Sequence, residues 1–406
     1  MTTVATGTTI EPITRAEYLD RQHRLLEALD REGYDGAIVW GRGSTNVDGC
    51  ADLLYLTGHL SAVSHILDSE IHSARGHAGL VITRDRPTVL VTDSYDADPS
   101  AIPVGQVQLS ISVDRDLGKA AREMGFAGKR IALIGMSGLL YTHHRGLEEG
   151  LGSPETKLIP ADELLVRLRL VKSEHEISLL REASRIGCEW VMRTLQAAVP
   201  GATEGEAVGE GLKYLAGAGG WAYDVAVSSG PCSHRYRNRQ ALPTWDSQRR
   251  LEVGDLFHAD VWGPIAHGYF CDLTRSTVVG GAPTSSQARL LSDPVDLVEH
   301  VTEIVEPGVQ MSALQDRASA WLARRDGGAG SSFGAMIPFI GHSLGLECEA
   351  PFLTRLEHTT IEPGMVLAIE CFLGGETGEG AGFEHVVAVR EGHLEVLTQS
   401  APSRPW

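Results

Sequence analysis

Five side chains in the second half of the chain are of the types that bind metal ions. Four are carboxylates and one is an imidazole: Asp260, Asp272, His342, Glu370 and Glu384. Each lies beside apolar residues or glycine, where burying an isolated charge costs several kcal/mol or more. Two divalent cations would neutralise four carboxylates, and an oxygen-rich ligand set with one imidazole suits Mn, Fe, Co or Zn. These residue types therefore indicate a two-metal hydrolytic centre.

The elements that must position these residues fall into two parts. In the first part a helix is predicted from Thr14 to Gly33, because Thr14 and Glu17 have capping-box spacing and Gly33 can end the helix. Short β-branched runs bounded by turn residues then predict strands at 36–40, 78–83, 88–93 and 130–135. The RDRP connector predicts a hairpin between the second and third of these strands. Interleaved helices and strands indicate a compact α/β domain over residues 1–165.

The second part, residues 166–406, begins with a long amphipathic helix that Ser173 and Glu176 cap. That helix ends at a Pro-Gly pair and a second helix follows. The same helix–Pro-Gly–helix unit returns about a hundred residues later, and strand-like segments follow each copy. We interpret this as an internal duplication in which two half-domains pack face to face. The metal-binding residues would then converge from strands that are distant in sequence.

Several segments resemble the creatinase, Xaa-Pro aminopeptidase and prolidase family, peptidase M24. The segments are GDLFHAD, CDLTRS, GHSLGLE, EPGMVLAIE and FEHVVAV, with RLRLVKSEHEISLLREA and LLYLTGH upstream. The resemblance implies an α/β (α+β) fold, with a small creatinase-like N-terminal domain and a C-terminal pita-bread domain. It also implies a homodimer and a dinuclear metallohydrolase that cleaves a C–N bond of a small molecule or dipeptide, most like an Xaa-Pro dipeptidase or aminopeptidase.

Carried over residue by residue, the resemblance makes the same five side chains the metal ligands, with Asp272 and Glu384 bridging both ions. Glu370 would be the general base for a bridging water. The spacing between Asp260 and Asp272 is one residue longer than usual, which we expect to lengthen the turn at GPIAHG.

Two other departures concern the helpers of catalysis. The family's peptidases carry a second histidine seven residues after the ligand histidine, and here that position is Glu349. Glu349 is either a surface carboxylate or an active-site group that assists the leaving amine. His234 is either an exposed loop histidine or a hydrogen-bond donor to the oxyanion.

Other functions remain open on the same scaffold. The missing second histidine favours a non-peptidase member that acts on a small metabolite. Such a member would be a dimethylsulfoniopropionate-type lyase or a creatine- or ectoine-type amide hydrolase. A binding protein without turnover is the third alternative, and the intact ligand set argues against it.

Composition excludes several classes of protein. The net charge of −18 argues against nucleic acid as a partner, because phosphate binding needs a basic surface. The N-terminal residues have no signal-peptide pattern, and no apolar run reaches the length of a membrane span. The six cysteines lack CxxC spacing, so neither a disulfide framework nor a thiolate zinc site is indicated. We therefore expect a cytoplasmic protein without membrane contact.

Four clustered histidines and one arginine are further residues of interest. His59, His65, His72 and His77 do not repeat on one face, which favours a solvated or dimer-facing loop over a metal site. Arg275 is expected to pair with a carboxylate of the metal site.

Overall fold

The computed structural model describes residues 11–43, 49–61, 63–239, 242–325, 339–374 and 378–406. Contacts divide the chain into two compact units, Glu11–Arg169 and Leu170–Trp406. None of the helices within the described ranges carries an apolar stretch long enough to cross a bilayer.

The first unit is built on one mixed sheet of six strands. Its strands are β1 Gly36–Arg42, β2 His77–Thr83, β3 Arg86–Thr92, β4 Gln106–Leu109, β5 Arg130–Ile134 and β6 Lys157–Pro160. Its helices are α1 Arg15–Arg31, α2 Ala51–Thr57, α3 Val113–Glu123, α4 Tyr141–Leu151 and α5 Glu163–Leu170, with a short 3₁₀ helix at Met136–Gly138. The sheet order is β4-β3-β2-β1-β5-β6.

The predicted helix and strands of this unit are present. Thr14 caps α1 by accepting a hydrogen bond from the Glu17 amide, and α1 ends two residues before Gly33. β2 and β3 pair antiparallel, which confirms the hairpin predicted at the RDRP connector. The α/β class expected for this part of the chain is therefore confirmed.

Within its described residues, the second unit contains two helix pairs and two sheets. The helices are α6 Glu174–Ala197, α7 Glu204–Gly217, α8 Ser285–Thr302 and α9 Met311–Arg325, with a 3₁₀ helix at Gly230–Cys232. The strands are β7 Asp224–Ser229, β8 Leu256–Ala266, β9 Tyr269–Val278, β10 Gly341–Leu344, β11 Cys348–Phe352, β12 Val366–Gly374, β13 Gly380–Arg390 and β14 His393–Val396. Each helix pair precedes one sheet, as the predicted duplication requires. Ser173 and Glu176 form the predicted capping box of α6.

Each helix pair covers one face of its sheet. Trp190 of α6 packs in one core with Val261 and Leu273 from the sheet β7-β8-β9. Val298 of α8 packs in another with Leu367 from the sheet β11-β10-β12-β13-β14. Because successive side chains in a strand point to opposite faces, the residues next to these core positions project from the other face of each sheet. That other face carries the predicted metal ligands.

The two sheets meet where β9 approaches β13. The Ser276 hydroxyl donates to the Gly382 carbonyl at 3.0 Å and accepts from the Gly382 amide at 2.9 Å. A Cβ at Gly382 would lie 2.7 Å from the methyl carbon of Thr274, so glycine is needed for this approach. The contact brings the ligand-bearing strands of both sheets side by side.

Candidate metal centre

Asp260 and Asp272 lie on the β8–β9 hairpin. Asp260 is opposite Thr274 and Asp272 is opposite Trp262, so the two aspartates are diagonal neighbours on one face. The hairpin turns at His267 and Gly268, which both have positive φ, and its register shifts between Pro264 and Ala266. This irregularity lies in the segment that was expected to accommodate the extra residue.

His342, Glu370 and Glu384 lie on one face of the five-stranded sheet. Glu370 of β12 is directly opposite Glu384 of β13, and His342 of β10 is opposite Ala368. Like charges directly opposite each other destabilise a sheet. The register therefore places two carboxylates where a cation would make the pairing favourable.

The structure brings all five predicted ligands together. Carboxylate oxygens of Asp260, Asp272 and Glu384 lie within 4.8 Å of one another. His342 Nε2 lies 3.5 Å from Asp272 Oδ2 and 3.6 Å from Glu370 Oε1. Four of the five residues are buried, and the Glu370 side chain keeps 24% of its surface exposed.

Burial and neighbouring charges shift the pKa values of this cluster. Burial raises the pKa of Asp260 and of Glu384 well above their usual range, and the charge of Asp272 adds to the rise. Burial also raises the pKa of Glu370 to about 7, although His342 opposes the rise. Burial lowers the pKa of His342, but the hydrogen bond and charge of Asp272 outweigh burial and raise it to about 9.

Buried carboxylate oxygens without a hydrogen-bond partner indicate whether a cation fits among the five side chains. Among the described residues, Asp260 Oδ1 and both carboxylate oxygens of Glu384 are buried without a hydrogen-bond partner. Buried polar atoms are nearly always paired with protein, water or an ion. Four carboxylates and one imidazole are also the ligands that divalent transition metals accept. The residues therefore fit a metal site.

His234 and Tyr236 come from the loop that follows β7. His234 is exposed, and no contact within the described ranges ties it to the carboxylates. Tyr236, two residues later, donates from its hydroxyl to Asp260 Oδ2. Its ring stacks with Trp262 at 6.5 Å between centroids. Sequence reasoning missed Tyr236, and the interpretation of His234 as an exposed loop histidine fits the structure better.

Glu349 is buried, so its interpretation as a surface carboxylate is wrong. Glu349 Oε2 lies 3.0 Å from Lys172 Nζ, and Oε1 accepts a hydrogen bond from the Leu346 amide at 3.0 Å. Lys172 also bonds Ser343 Oγ at 3.2 Å. Both Glu349 oxygens are thus engaged with the protein, and the role of assisting the leaving amine stays a prediction.

Cys348 faces the carboxylates instead. It precedes Glu349 in β11, so its side chain points to the opposite face. The Cys348 thiol donates to Asp272 Oδ2 at 3.1 Å. The only advance signal was the alternation of the strand, and a register shift between His342 and Ser343 obscures which residue faces the site.

The predicted pairing of Arg275 with a metal-site carboxylate is wrong. Its guanidinium donates to the carbonyls of Glu384 at 2.6 Å and of Thr274 at 2.8 Å. Arg275 is opposite Ala259 in the hairpin, which places its side chain on the face away from Asp260.

The predicted histidine loop is only partly solvated. His65 is exposed and His72 is half-buried, but His59 and His77 are buried within the first unit. The prediction of a solvated loop is therefore wrong for His59 and His77.

Comparison with known proteins places the chain in a family. A model described as metallopeptidase family M24 matches residues 178–391, and one described as creatinase/prolidase N-terminal domain matches residues 21–171. The chain belongs to metallopeptidase family M24. This confirms the resemblance and the expected enzyme class, a metallohydrolase of that family.

Individual relatives agree with this family. The chain is 28% identical to an Xaa-Pro dipeptidase of Pyrococcus furiosus, over 67% of this chain and 75% of that protein. It is 23% identical to a creatinase of Bacillus sp., over 97% of this chain and 93% of that protein. The prolidase structure from Pyrococcus horikoshii OT3 superposes with a TM-score of 0.75 at 20% identity, covering 93% of this chain and 98% of that chain. The Xaa-Pro dipeptidase structure from Bacillus anthracis gives a TM-score of 0.76 at 22% identity, covering 94% and 98%. These likenesses confirm the predicted fold class.

Proposed function

We propose that this protein is a dinuclear-metal-dependent hydrolase that cleaves a C–N bond of a small substrate, with Xaa-Pro dipeptides as its substrate class. The observation that carries the proposal is the convergence of Asp260, Asp272, His342, Glu370 and Glu384, with buried oxygens among them that lack partners. The substrate class is supported by the Xaa-Pro dipeptidases among the relatives.

In this proposal the five side chains would hold two divalent ions. Such ions would lower the pKa of water towards neutrality and polarise a carbonyl group. Glu370 is the most exposed of the five side chains, so a substrate can reach its carboxylate. In its ionised form the Glu370 carboxylate can accept a proton at Oε. Glu370 is thus the general base.

The neighbouring side chains hold these groups in place. Tyr236 orients Asp260 through its hydroxyl, and the aromatic rings of Trp262 and Phe372 flank Tyr236 at 6.5 and 6.4 Å between centroids. Apolar rings beside the carboxylates exclude water and strengthen each electrostatic contact. Glu349 and Lys172 act as a buried pair that supports the segment between His342 and Cys348.

Metal analysis combined with a substrate panel tests the proposal. Mass-spectrometric metal analysis should find close to two divalent ions per chain, and proline should be released from Ala-Pro or Gly-Pro. Asp272→Ala should lose both metal and turnover, whereas Asp296→Ala, at an exposed aspartate, should keep both. An Asp272→Ala variant with bound metal and full activity would refute the site. Turnover of a creatine-type amidine or a sulfonium compound without proline release would favour the non-peptidase alternative.

We also propose that the catalytic domain comprises residues 166–406, the creatinase-like domain residues 1–165, and that the protein is a cytoplasmic homodimer. The cysteines of the described residues form no disulfide, which supports a reducing compartment. Limited proteolysis tests the boundary, and analytical ultracentrifugation tests the dimer.

A further inference from the structure

Cys348 lies at the edge of the metal centre and is not one of the five predicted ligands. It is half-buried at the start of β11. Its Sγ, a carboxylate oxygen of Asp272 and a ring nitrogen of His342 all lie within 4.8 Å of one another. Three neighbouring elements, β9, β10 and β11, thus bring a sulfur, an oxygen and a nitrogen to one point.

The distances between these atoms match those between neighbouring ligand atoms around a bound metal ion. Tetrahedral bonds of about 2.0–2.3 Å place neighbouring ligand atoms about 3.3–3.8 Å apart. The observed separations are 3.5 Å from Asp272 Oδ2 to His342 Nε2 and 3.6 Å from His342 Nε2 to Glu370 Oε1. Cys348 Sγ lies 3.1 Å from Asp272 Oδ2 in a thiol hydrogen bond. This distance is only slightly shorter than the distance between neighbouring ligand atoms around a metal ion.

We propose that Cys348 is an additional ligand of the cation held by Asp272, His342 and Glu370, and that it biases this centre towards Zn²⁺, Co²⁺ or Fe²⁺ and away from Mn²⁺. The inference rests on the proposed function, because it assigns a further residue to the same site. On binding, the cation takes the place of the thiol proton, which leaves to solvent, and a sulfur–metal bond forms. Thiolate is a soft ligand, whereas carboxylates alone suit Mn²⁺ well.

The competing explanation is that Cys348 only donates a hydrogen bond to Asp272. Cys348→Ser separates the two, because a hydroxyl keeps the donor and removes the soft ligand. Cys232→Ser is the matched control, since Cys232 is also half-buried but lies in the 3₁₀ helix after β7.

The first measurement is the absorption of the protein loaded with Co²⁺ alone. We expect a thiolate-to-cobalt charge-transfer band in the near ultraviolet for the wild type and for Cys232→Ser, but not for Cys348→Ser. We also expect the ratio of Zn²⁺ to Mn²⁺ affinity to fall at least about tenfold in Cys348→Ser, the lower end of what changes around a metal site cost. Neither readout depends on turnover.

A second measurement needs no variant. Alkylation of the wild-type thiols, mapped by mass spectrometry, should slow at Cys348 when Zn²⁺ is added and stay unchanged at Cys232. Full Co²⁺ occupancy without the band, or alkylation of Cys348 that Zn²⁺ does not slow, overturns the assignment. If dipeptides are still cleaved in that case, the proposed function stands and only the sulfur ligand fails. A protein that binds no cation overturns both.

Discussion

Replacing Glu370 with glutamine should stabilise the protein when no metal is bound and destabilise it when metal is present. Glu370 is directly opposite Glu384 and is one of four carboxylates in a single enclosure. Without a cation, one fewer carboxylate means less repulsion. With a cation, one fewer carboxylate means one fewer ligand. The substitution should therefore raise the free energy of unfolding when no metal is bound and lower it when metal is bound.

The pKa of Glu370 sets the size of the effect. That pKa is about 7 in the folded protein, against an ordinary value of 4.5. Because the folded pKa is raised, the contribution of the Glu370 carboxyl to the free energy of unfolding is fully present below about pH 4.5 and is lost as the pH rises to about 7. The loss reaches about 3 kcal/mol at pH 8 and stays below about 1 kcal/mol at pH 5. Glutamine cannot ionise, so the variant avoids this loss.

Urea unfolding in the presence of a chelator measures the difference. At pH 8 the metal-free Glu370→Gln variant should have the larger free energy of unfolding, by up to about 3 kcal/mol, and the advantage should nearly vanish at pH 5. Glu391→Gln, at an exposed carboxylate, is the control and should change little at either pH.

Adding Mn²⁺ should make the free energy of unfolding of the wild type larger than that of Glu370→Gln. A cation at about a thousand times its dissociation constant stabilises the wild type by about 4 kcal/mol, and a variant with a weaker site gains less. If metal-free Glu370→Gln is no more stable than the wild type at pH 8, the carboxylates do not repel one another as described. The electrostatic argument for the metal centre would then fail.

Two further substitutions test the surroundings of the centre. Lys172→Met removes the ammonium 3.0 Å from the buried Glu349 carboxylate, so the free energy of unfolding should fall by about 3–5 kcal/mol. Adding Glu349→Gln should recover most of that loss, and an equally unstable double variant would contradict the pairing. Tyr236→Phe removes the hydroxyl that orients Asp260, so metal affinity measured against a chelating dye should fall roughly 10- to 100-fold. Unchanged affinity would show that the hydroxyl has no such role.

Residue type and local pattern were enough to single out the five side chains that converge in the structure and most of the strands that carry them. Asp260, Asp272, Glu370 and Glu384 are costly residues at apolar strand positions, and that cost is visible without coordinates. The capping box at Ser173 and the repeated Pro-Gly breaks likewise depend on residues close together in the chain. Such features are predictable because their causes are local.

The errors arose where a contact depends on register or on distant residues. A shift of one residue decides whether Cys348 or Glu349 faces the carboxylates, and the irregularity after His342 makes that shift invisible in the pattern. Lys172 is 177 residues from Glu349, so no local pattern could pair them. Tyr236 contacts Asp260 from an irregular loop, whose conformation alternation does not predict.

The placement of Arg275 bears on the charge balance of the carboxylate cluster. Arg275 is fully buried in β9, and its side chain lies on the face opposite to Asp272, where its guanidinium donates to main-chain carbonyls. Its side chain supports the junction between β9 and β13, and no contact in the described residues turns it towards the ligands. An arginine on the other face would neutralise one carboxylate permanently and occupy the place of an ion. The charge of Arg275 lowers the pKa of Glu384 less than burial and the neighbouring carboxylates raise it, so the proposed divalent ions would supply the remaining positive charge.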